Sequence, residues 1–420
     1  MEKEANNKEW GLIRNDNGEW ISDEYAVFLS QFDAICLKSR ALHQGKELHI
    51  QHGTEGQLWC YRHELDAIDL TEPEPVKREI NVKKPMAGVT DVHYHCENEY
   101  KGDNPFKKAA RSKQSWFREN YLKVGFDPSN KYGKYGAFLM PEDAAAGLNF
   151  YEGFRSEILC QIEKKYHKHT TEQHDGLYAN LLRSEHIPWN VFIPMKDDLL
   201  AAAKVFNDII GEPVIDEITD IRIEWAPNKK YCLNDNTSFD TFIEFKCGGQ
   251  LGGIGIETKY TEEGYPFGKK EYREVMEKEQ SQYAIVTRTC GLYKQDIASK
   301  PIRETSLCKD EFRQIWRNHI LGESMVLNYK NRIPGEPMRR DYMLNRFYSL
   351  TLYPSGNLHF TDVLPKYREF LSEYGDSTFK TITFESLFDL LKVHFSKDSK
   401  YQDWIEYLQI RYPFKVLITT

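Results

Sequence analysis

The chain has no run of eighteen or more apolar residues, so a membrane-spanning helix is not expected. It has no C-x-x-C pair: its eight cysteines, Cys36, Cys60, Cys96, Cys160, Cys232, Cys247, Cys290 and Cys308, are scattered. Scattered cysteines in a chain of 420 residues fit a reducing cytoplasm better than a disulfide scaffold. Met1-Glu2-Lys3-Glu4 is charged and leads into no apolar stretch, which argues against an ordinary secretory signal. There is no internal repeat and no low-complexity tract. Positive charge is not in excess either, with 56 Lys and Arg against 64 Asp and Glu and a net charge of −8. That counts against a generic nucleic-acid binder but leaves room for a local basic groove beside an acidic site. What remains, 40% hydrophobic and 29% charged, is the composition of a globular protein of one to three domains.

The texture changes along the chain. Residues 1–103 read as a separate α+β unit, with an amphipathic helix over 24–42 and a hairpin over 46–61 around His52-Gly53-Thr54-Glu55-Gly56. A polar crossing at 71–75 follows, and 99–105 is the best linker. Residues 104–211 read as a helical lead-in. It holds a basic helix with aromatics over 106–123, a helix over 141–165 opened by Pro141, and a strong helix over 197–210 closed by Gly211. The period then switches to alternation. Strands are expected over 218–225, 239–245 and 253–260, then a helix over 309–321 and a strand over 347–353. The core is assigned to 212–365 and a helical extension to 366–420. The fold class is α/β: a mixed central sheet flanked by helices.

One constellation carries chemistry. Glu257 and Lys259 are two apart on a strand and share a face, while Ile254, Ile256 and Thr258 face the other way. The glycine-rich Cys247-Gly248-Gly249-Gln250-Leu251-Gly252 joins that strand to the one carrying Asp240. A turn centred on Gly249-Gln250 places Asp240 opposite Lys259, with Glu257 diagonally adjacent, about 5–8 Å away. Two carboxylates can hold Mg²⁺, a hard ion that takes oxygen ligands. An ammonium beside them can orient a water or neutralise charge building on a phosphate. The ordinary alternative is a solvated hairpin face with a cross-strand Glu–Lys pair.

The run Gly253-Ile254-Gly255-Ile256-Glu257-Thr258-Lys259-Tyr260-Thr261-Glu262, preceded by Ser238-Phe239-Asp240, resembles the PD-(D/E)XK restriction-endonuclease-like superfamily. More narrowly it resembles a bacterial family of putative restriction endonucleases. Gln114-Ser115 with Arg118, Leu181-Leu182-Arg183-Ser184-Glu185 followed by Asn190 and Phe192, Gln314 with Trp316-Arg317 and His319, and Leu352-Tyr353-Pro354-Ser355-Gly356-Asn357 resemble further segments of that family in order. Glu185 departs from it, standing where Gln is expected. The similarity covers 106–365.

The resemblance implies a restriction-endonuclease-like core. It implies Asp240 and Glu257 as metal ligands, Lys259 as the catalytic lysine and Gln314 as an active-site residue. It implies hydrolysis of DNA phosphodiesters with Mg²⁺, for which Mn²⁺ substitutes, to 5′-phosphate and 3′-hydroxyl ends. An endonuclease is expected before an exonuclease, acting in defence against foreign DNA, with a homodimer as the default for a duplex cutter. Thr258 and Glu224 are further candidate metal-ligating residues, and Glu217 is a surface carboxylate. Arg317 on the helix of Gln314, then Lys330, Arg332, Arg339, Arg340 and Arg346 around Tyr342, and Lys113 on the basic helix, are candidate contacts to DNA. His319 reads as a packing residue. Cys60, His63, His93, His95 and Cys96 have an atypical spacing for zinc, and buried Cys with satisfied His is the ordinary reading. Docking of a partner protein is the role left for the N-terminal unit. The rival functions are a non-cleaving nucleic-acid-binding scaffold and an effector gated by a partner or ligand.

Overall fold

The computed structural model describes residues 8–9, 12–14, 20–21, 26–29, 41, 46–52, 58–68, 100–166, 175–395 and 398–412. They belong to two compact units, one of residues 1–89 and 140–178, the other of residues 90–139 and 179–420.

The described residues of the first unit include short antiparallel strands. Lys8–Glu9, Leu12–Arg14 and Trp20–Ile21 form one sheet; Ala26–Leu29, Leu58–Tyr61 and Gln51–His52 form another. The hairpin expected over 46–61 is present. Of the helix expected over 24–42, the part at Ala26–Leu29 is instead a strand, with Val27 opposite Cys60, and residues 30–40 lie outside the described residues. Its Val-Phe-Leu run serves a pleated ladder as well as a helix face, and cross-strand burial decides. The crossing at 71–75 lies outside the described residues. The helix expected over 141–165 is broken into Pro141–Ala145 and Arg155–Tyr166. Buried Asn149 anchors the break by donating to the Leu177 carbonyl at 2.7 Å.

The second unit opens with α1, Pro105–Trp116. Asn104 accepts the Lys107 amide at 2.8 Å and Pro105 takes the first turn, so the start is capped as the sequence dictates. Helix α2, Ile187–Met195, is buried along its length. Helix α3, Leu199–Ile210, begins at Asp198, which accepts the Ala201 amide, and ends at Gly211 in the left-handed region. The sheet follows: β1 Glu217–Trp225, β2 Phe239–Cys247 and β3 Gln250–Thr258. Then come α4 Arg313–Lys330, β4 Arg346–Tyr353, β5 Phe379–Thr383, α5 Phe384–Phe395 and α6 Ser399–Arg411. Sheet order is β5-β4-β3-β2-β1, antiparallel from β1 to β3 and parallel from β3 to β5. Helix α4 crosses between the parallel β3 and β4, as such strands require. Helices α2 and α3 cover β1 and β2, α4 packs on β3 and β4, and α5 packs on α3 and β5.

Residues 366–420 are therefore not only a helical extension. The sheet continues past 365 with β5, which pairs with β4 from Ser349 opposite Phe379 to Tyr353 opposite Thr383. Five half-buried residues at an edge carry too little pattern to stand out from flanking helices.

Close approach explains why β3 opens with glycines. A Cβ on Gly253 would lie 2.7 Å from the Phe242 ring and 2.9 Å from Leu344. Deeper in α4, Glu323 is fully buried and accepts the Tyr374 hydroxyl at 2.9 and 3.1 Å on its two oxygens.

Candidate active site

The turn between β2 and β3 sits one residue earlier than the sequence reading puts it. Cys247 faces Gln250, so Gly248 and Gly249 form the two-residue turn, with φ of 56° and 76°. Positive φ at both positions is what a tight hairpin of this hand demands. Thr241 then faces Ile256, and one further step puts Asp240 opposite Glu257 rather than opposite Lys259. The correction brings the two carboxylates together directly and leaves Lys259 on the diagonal.

Each group is held. Asp240 Oδ2 accepts the Thr258 amide at 2.7 Å. Lys259 Nζ lies 2.5 Å from Glu257 Oε1 and donates to Gln314 Oε1 at 2.7 Å. Gln314 Nε2 donates to Glu257 Oε1 at 3.0 Å, and Asn318 Nδ2 donates to Glu257 Oε2. Gln314 and Asn318 are four apart on α4, so one helix face grips the carboxylate and the ammonium together. Glu257 and Lys259 are 6% and 3% exposed, so little water competes for these bonds. The Lys259 ammonium also lies 5.6 Å from the Tyr265 ring centroid. Asn318 is the residue that sequence reasoning missed; its spacing from Gln314 was the available signal.

Electrostatics follow from the crowding. Desolvation pushes the Asp240 carboxyl well above its ordinary range, and Glu257 and Glu224 push it further, against Lys259 and the Thr258 amide. Burial pulls the Lys259 ammonium down, but Glu257 and Asp240 more than offset this and raise it overall, so it stays charged at neutral pH. Glu224 is flanked by the pairs Ile223–Thr241 and Trp225–Phe239, which set it across from Asp240. Its φ is 53°, a rare backbone for a strand residue, and Ser238 Oγ donates to it at 3.2 Å.

The other candidates separate. Thr258 faces the site only with its main chain, because its side chain shares the opposite face with Ile256. Arg317 is drawn to Glu271 and not to the Gln314 cluster. Glu217 pairs with Lys246 at 2.7 Å, at the surface. Lys330 lies sixteen residues along α4 from Gln314, about 24 Å at 1.5 Å per residue. Arg332 stacks on Tyr329 at 3.7 Å and Arg340 lies 3.5 Å from Glu244, while Arg339 is exposed. Among the described residues none of these side chains bonds to Asp240 or Glu257. Lys113, a candidate DNA contact on the basic helix, is only 5% exposed, and burial pushes its ammonium down to about 8. Its neighbours are buried too: Arg111 pairs with Asp103 at 2.7 Å and Arg118 Nε donates to the Gly136 carbonyl at 2.9 Å. His319 packs as expected, between the Tyr367 and Thr378 hydroxyls, and burial pushes it down to about 3. Cys60 is buried and its thiol is pushed up to about 11 by desolvation; His93, His95 and Cys96 lie outside the described residues.

The remaining motif residues build the floor beside Lys259. Gln114 Nε2 donates to the Tyr260 hydroxyl at 2.8 Å and to the Arg411 carbonyl at 3.1 Å. The Arg411 guanidinium, fully buried, meets His186 Nε2 at 3.1 Å, lies 4.8 Å from the Phe117 ring and donates to the Tyr407 hydroxyl. Asn190 Nδ2 donates to the Tyr412 hydroxyl at 3.0 Å. Glu262 accepts the Ser184 amide at 2.9 Å, and Asn357 donates to the Tyr260 and Glu262 carbonyls. These polar residues fix the segment leaving β3 rather than contacting the carboxylates.

A family model for the PD-(D/E)XK nuclease superfamily matches residues 101–414. The chain belongs to that superfamily. No curated protein and no solved structure matches it. The five-stranded mixed sheet flanked by helices is the core expected of this superfamily, and the match extends over β5, α5 and α6. Among the described residues no helix is long and apolar enough to cross a membrane.

A divalent ion fits the donors present. Asp240 keeps Oδ1 free of hydrogen bonds among the described residues, and only oxygen ligands converge here. No group of three His, Cys, Asp or Glu side chains forms a full ligand set among the described residues. Two carboxylates with the other positions left to water and phosphate is the usual shell for Mg²⁺.

Proposed function

We propose that this superfamily member is a Mg²⁺-dependent deoxyribonuclease, with Mn²⁺ able to substitute, that cuts DNA internally and leaves 5′-phosphate and 3′-hydroxyl ends. The observation that carries the reading is Asp240 facing Glu257, with a charged Lys259 bonded to both Glu257 and Gln314. Asp240 and Glu257 would hold the ion, with the Thr258 main chain and Glu224 alongside. When bound, it supplies positive charge for the phosphate oxygens and an acidified water. Lys259 orients the attacking water and neutralises charge as the pentavalent phosphate forms. Gln314 aims Lys259, and Asn318 keeps the Glu257 carboxylate turned toward the site. A cytoplasmic role in defence against foreign DNA, and a homodimer that brings two sites to a duplex, follow from the same reading.

The test is cleavage of supercoiled plasmid and linear DNA with Mg²⁺ and Mn²⁺, using wild type beside Glu257→Ala and Lys259→Ala, each checked for folding. Metal-dependent cutting that both substitutions abolish is the expected result. Cutting that survives in both variants, or none by folded wild type, refutes the assignment.

A further inference from the structure

A second pair of side chains runs on α4 beside Gln314 and Asn318, which hold Glu257. Arg313 and Arg317 are four apart, as Gln314 and Asn318 are, so the two stripes lie side by side, about 100° apart around the helix. Both arginines are spent on one acid. Arg313 Nε and Nη2 donate to Glu271 Oε1 at 3.0 and 2.8 Å, and Nη2 donates to Oε2 at 2.7 Å. Arg317 Nη2 donates to Glu271 Oε1 as well. Glu271 is the carboxylate bonded to both guanidiniums, while Arg317 also feels the charge of Asp235, which Tyr283 bonds. Arg317 Nε is buried and lacks a hydrogen-bond acceptor among the described residues, so the pair has donor capacity that Glu271 does not use.

The geometry around the pair is that of a built site. The Arg313 guanidinium lies 5.3 Å from the Phe267 ring and that of Arg317 lies 5.8 Å from the Tyr283 ring, which hold both planes in place. The side chains of Arg313 and Arg317 are 15% and 17% exposed. Glu271, by contrast, comes from Lys269–Tyr272, in a stretch whose side chains are mostly exposed. A cavity of about 980 Å³ opens beside Glu271, lined by Lys269, Lys270, Lys278 and Tyr283 together with the carboxylates of Asp235, Glu274 and Glu279; the two arginines border Glu271 and not the cavity itself. That is the upper end of the size of ligand cavities. A carboxylate and a phosphodiester each offer two oxygens to the arginine fork, so one substitutes for the other without rearranging the donors.

We propose that Arg313 and Arg317 bind the DNA phosphodiester next to the scissile one, and that Glu271 fills their site as an internal carboxylate until the strand displaces it. The proposal rests on the nuclease reading above. In it Arg313 and Arg317 position the strand, while Gln314 and Asn318, one stripe away, hold Glu257.

The experiment is fluorescence anisotropy of a labelled DNA duplex over a salt series in EDTA, which measures binding without cleavage. It uses the full-length wild type, Glu271→Gln, Glu271→Ala and the double variant Arg313→Ala/Arg317→Ala, with the melting temperature of each. Both Glu271 variants bind more tightly, about tenfold for a competitor worth 1.4 kcal/mol. The double arginine variant binds more weakly, and its log K against log salt is shallower by about 1.8, two contacts at 0.9 each. Unchanged affinity in the Glu271 variants with an unchanged slope in the arginine variant overturns the proposal, and makes Glu271 a tie for its segment. Plasmid cleavage by wild type is scored separately. Cutting without tighter binding by Glu271→Gln sinks this proposal alone, whereas tighter binding without cutting retains the phosphate site and sinks the nuclease reading.

Discussion

Replacing Glu323 by Gln should change the sign of its effect on stability with pH. Glu323 is 0% exposed in the middle of α4, and burial pushes its carboxyl up to about 7, against the Tyr374 hydrogen bonds and the Lys330 charge. A free Glu titrates near 4.3. Between those values the folded protein binds the proton and the unfolded chain does not, so stability falls as pH rises. The contribution is fully present below about 4.3 and is lost as pH climbs through about 7. At 1.36 kcal/mol per pH unit the loss is roughly 4 kcal/mol. Gln cannot ionise, and its carbonyl still accepts from Tyr374, but its amide needs a new acceptor, at a cost of about 1 kcal/mol. Glu323→Gln is therefore less stable than wild type by about 1 kcal/mol near pH 3, about equal to it near pH 5, and more stable by about 3 kcal/mol near pH 9. Urea denaturation at these values reads the difference. A gap between the two proteins that stays constant with pH would refute a neutral, buried Glu323.

Removing Asn318 or Gln314 with Ala takes a hydrogen bond from a charged group, worth about 1.5–3 kcal/mol. Plasmid cleavage should slow by roughly 10- to 150-fold in each variant, and an unchanged rate in Asn318→Ala would remove that residue from the site. Gly253→Ala forces a methyl against Phe242 and Leu344 and should destabilise by about 1–3 kcal/mol in thermal melts, with no loss expected if those side chains have room to move. Gln114→Leu deprives the Tyr260 hydroxyl and the Arg411 carbonyl of their donor, at about 1–3 kcal/mol, again read by denaturation. Chelation should stop cutting and Mn²⁺ should restore it; cutting in EDTA would exclude Asp240 and Glu257 as ligands.

The parts of the site that the sequence reading reached are the ones written in short-range periodicity. Glu257 and Lys259 share a strand face by count alone, and Gln314 falls on the helix that packs over them. The partner of Asp240 was misjudged because Cys247-Gly248-Gly249-Gln250-Leu251-Gly252-Gly253 offers several glycine pairs, and each shift of the turn moves the opposite residue by two. The basic helix misled for a different reason. Arginines satisfied by Asp103 or by a buried carbonyl look the same in a sequence as arginines in water. Glu271 could not be found at all, since no spacing links it to Arg313 and Arg317, forty-odd residues later. The strand at 379–383 was lost in a region dominated by helices.

The bond between Gln114 and Arg411 joins residues 297 apart in the chain, and it lies under the segment that carries Lys259. A growing polypeptide therefore exposes Asp240, Glu257 and Lys259 long before it can finish the floor beneath them. At about 5–20 residues per second, the 152 residues from Lys259 to Arg411 take roughly 8–30 s to synthesise. Until residue 383 is made β5 is absent and β4 has a bare edge, and until residue 411 is made Gln114, which bonds the Tyr260 hydroxyl, lacks its Arg411 partner. The order of translation thus places Asp240, Glu257 and Lys259 in the chain well before the contact that completes the floor beneath them.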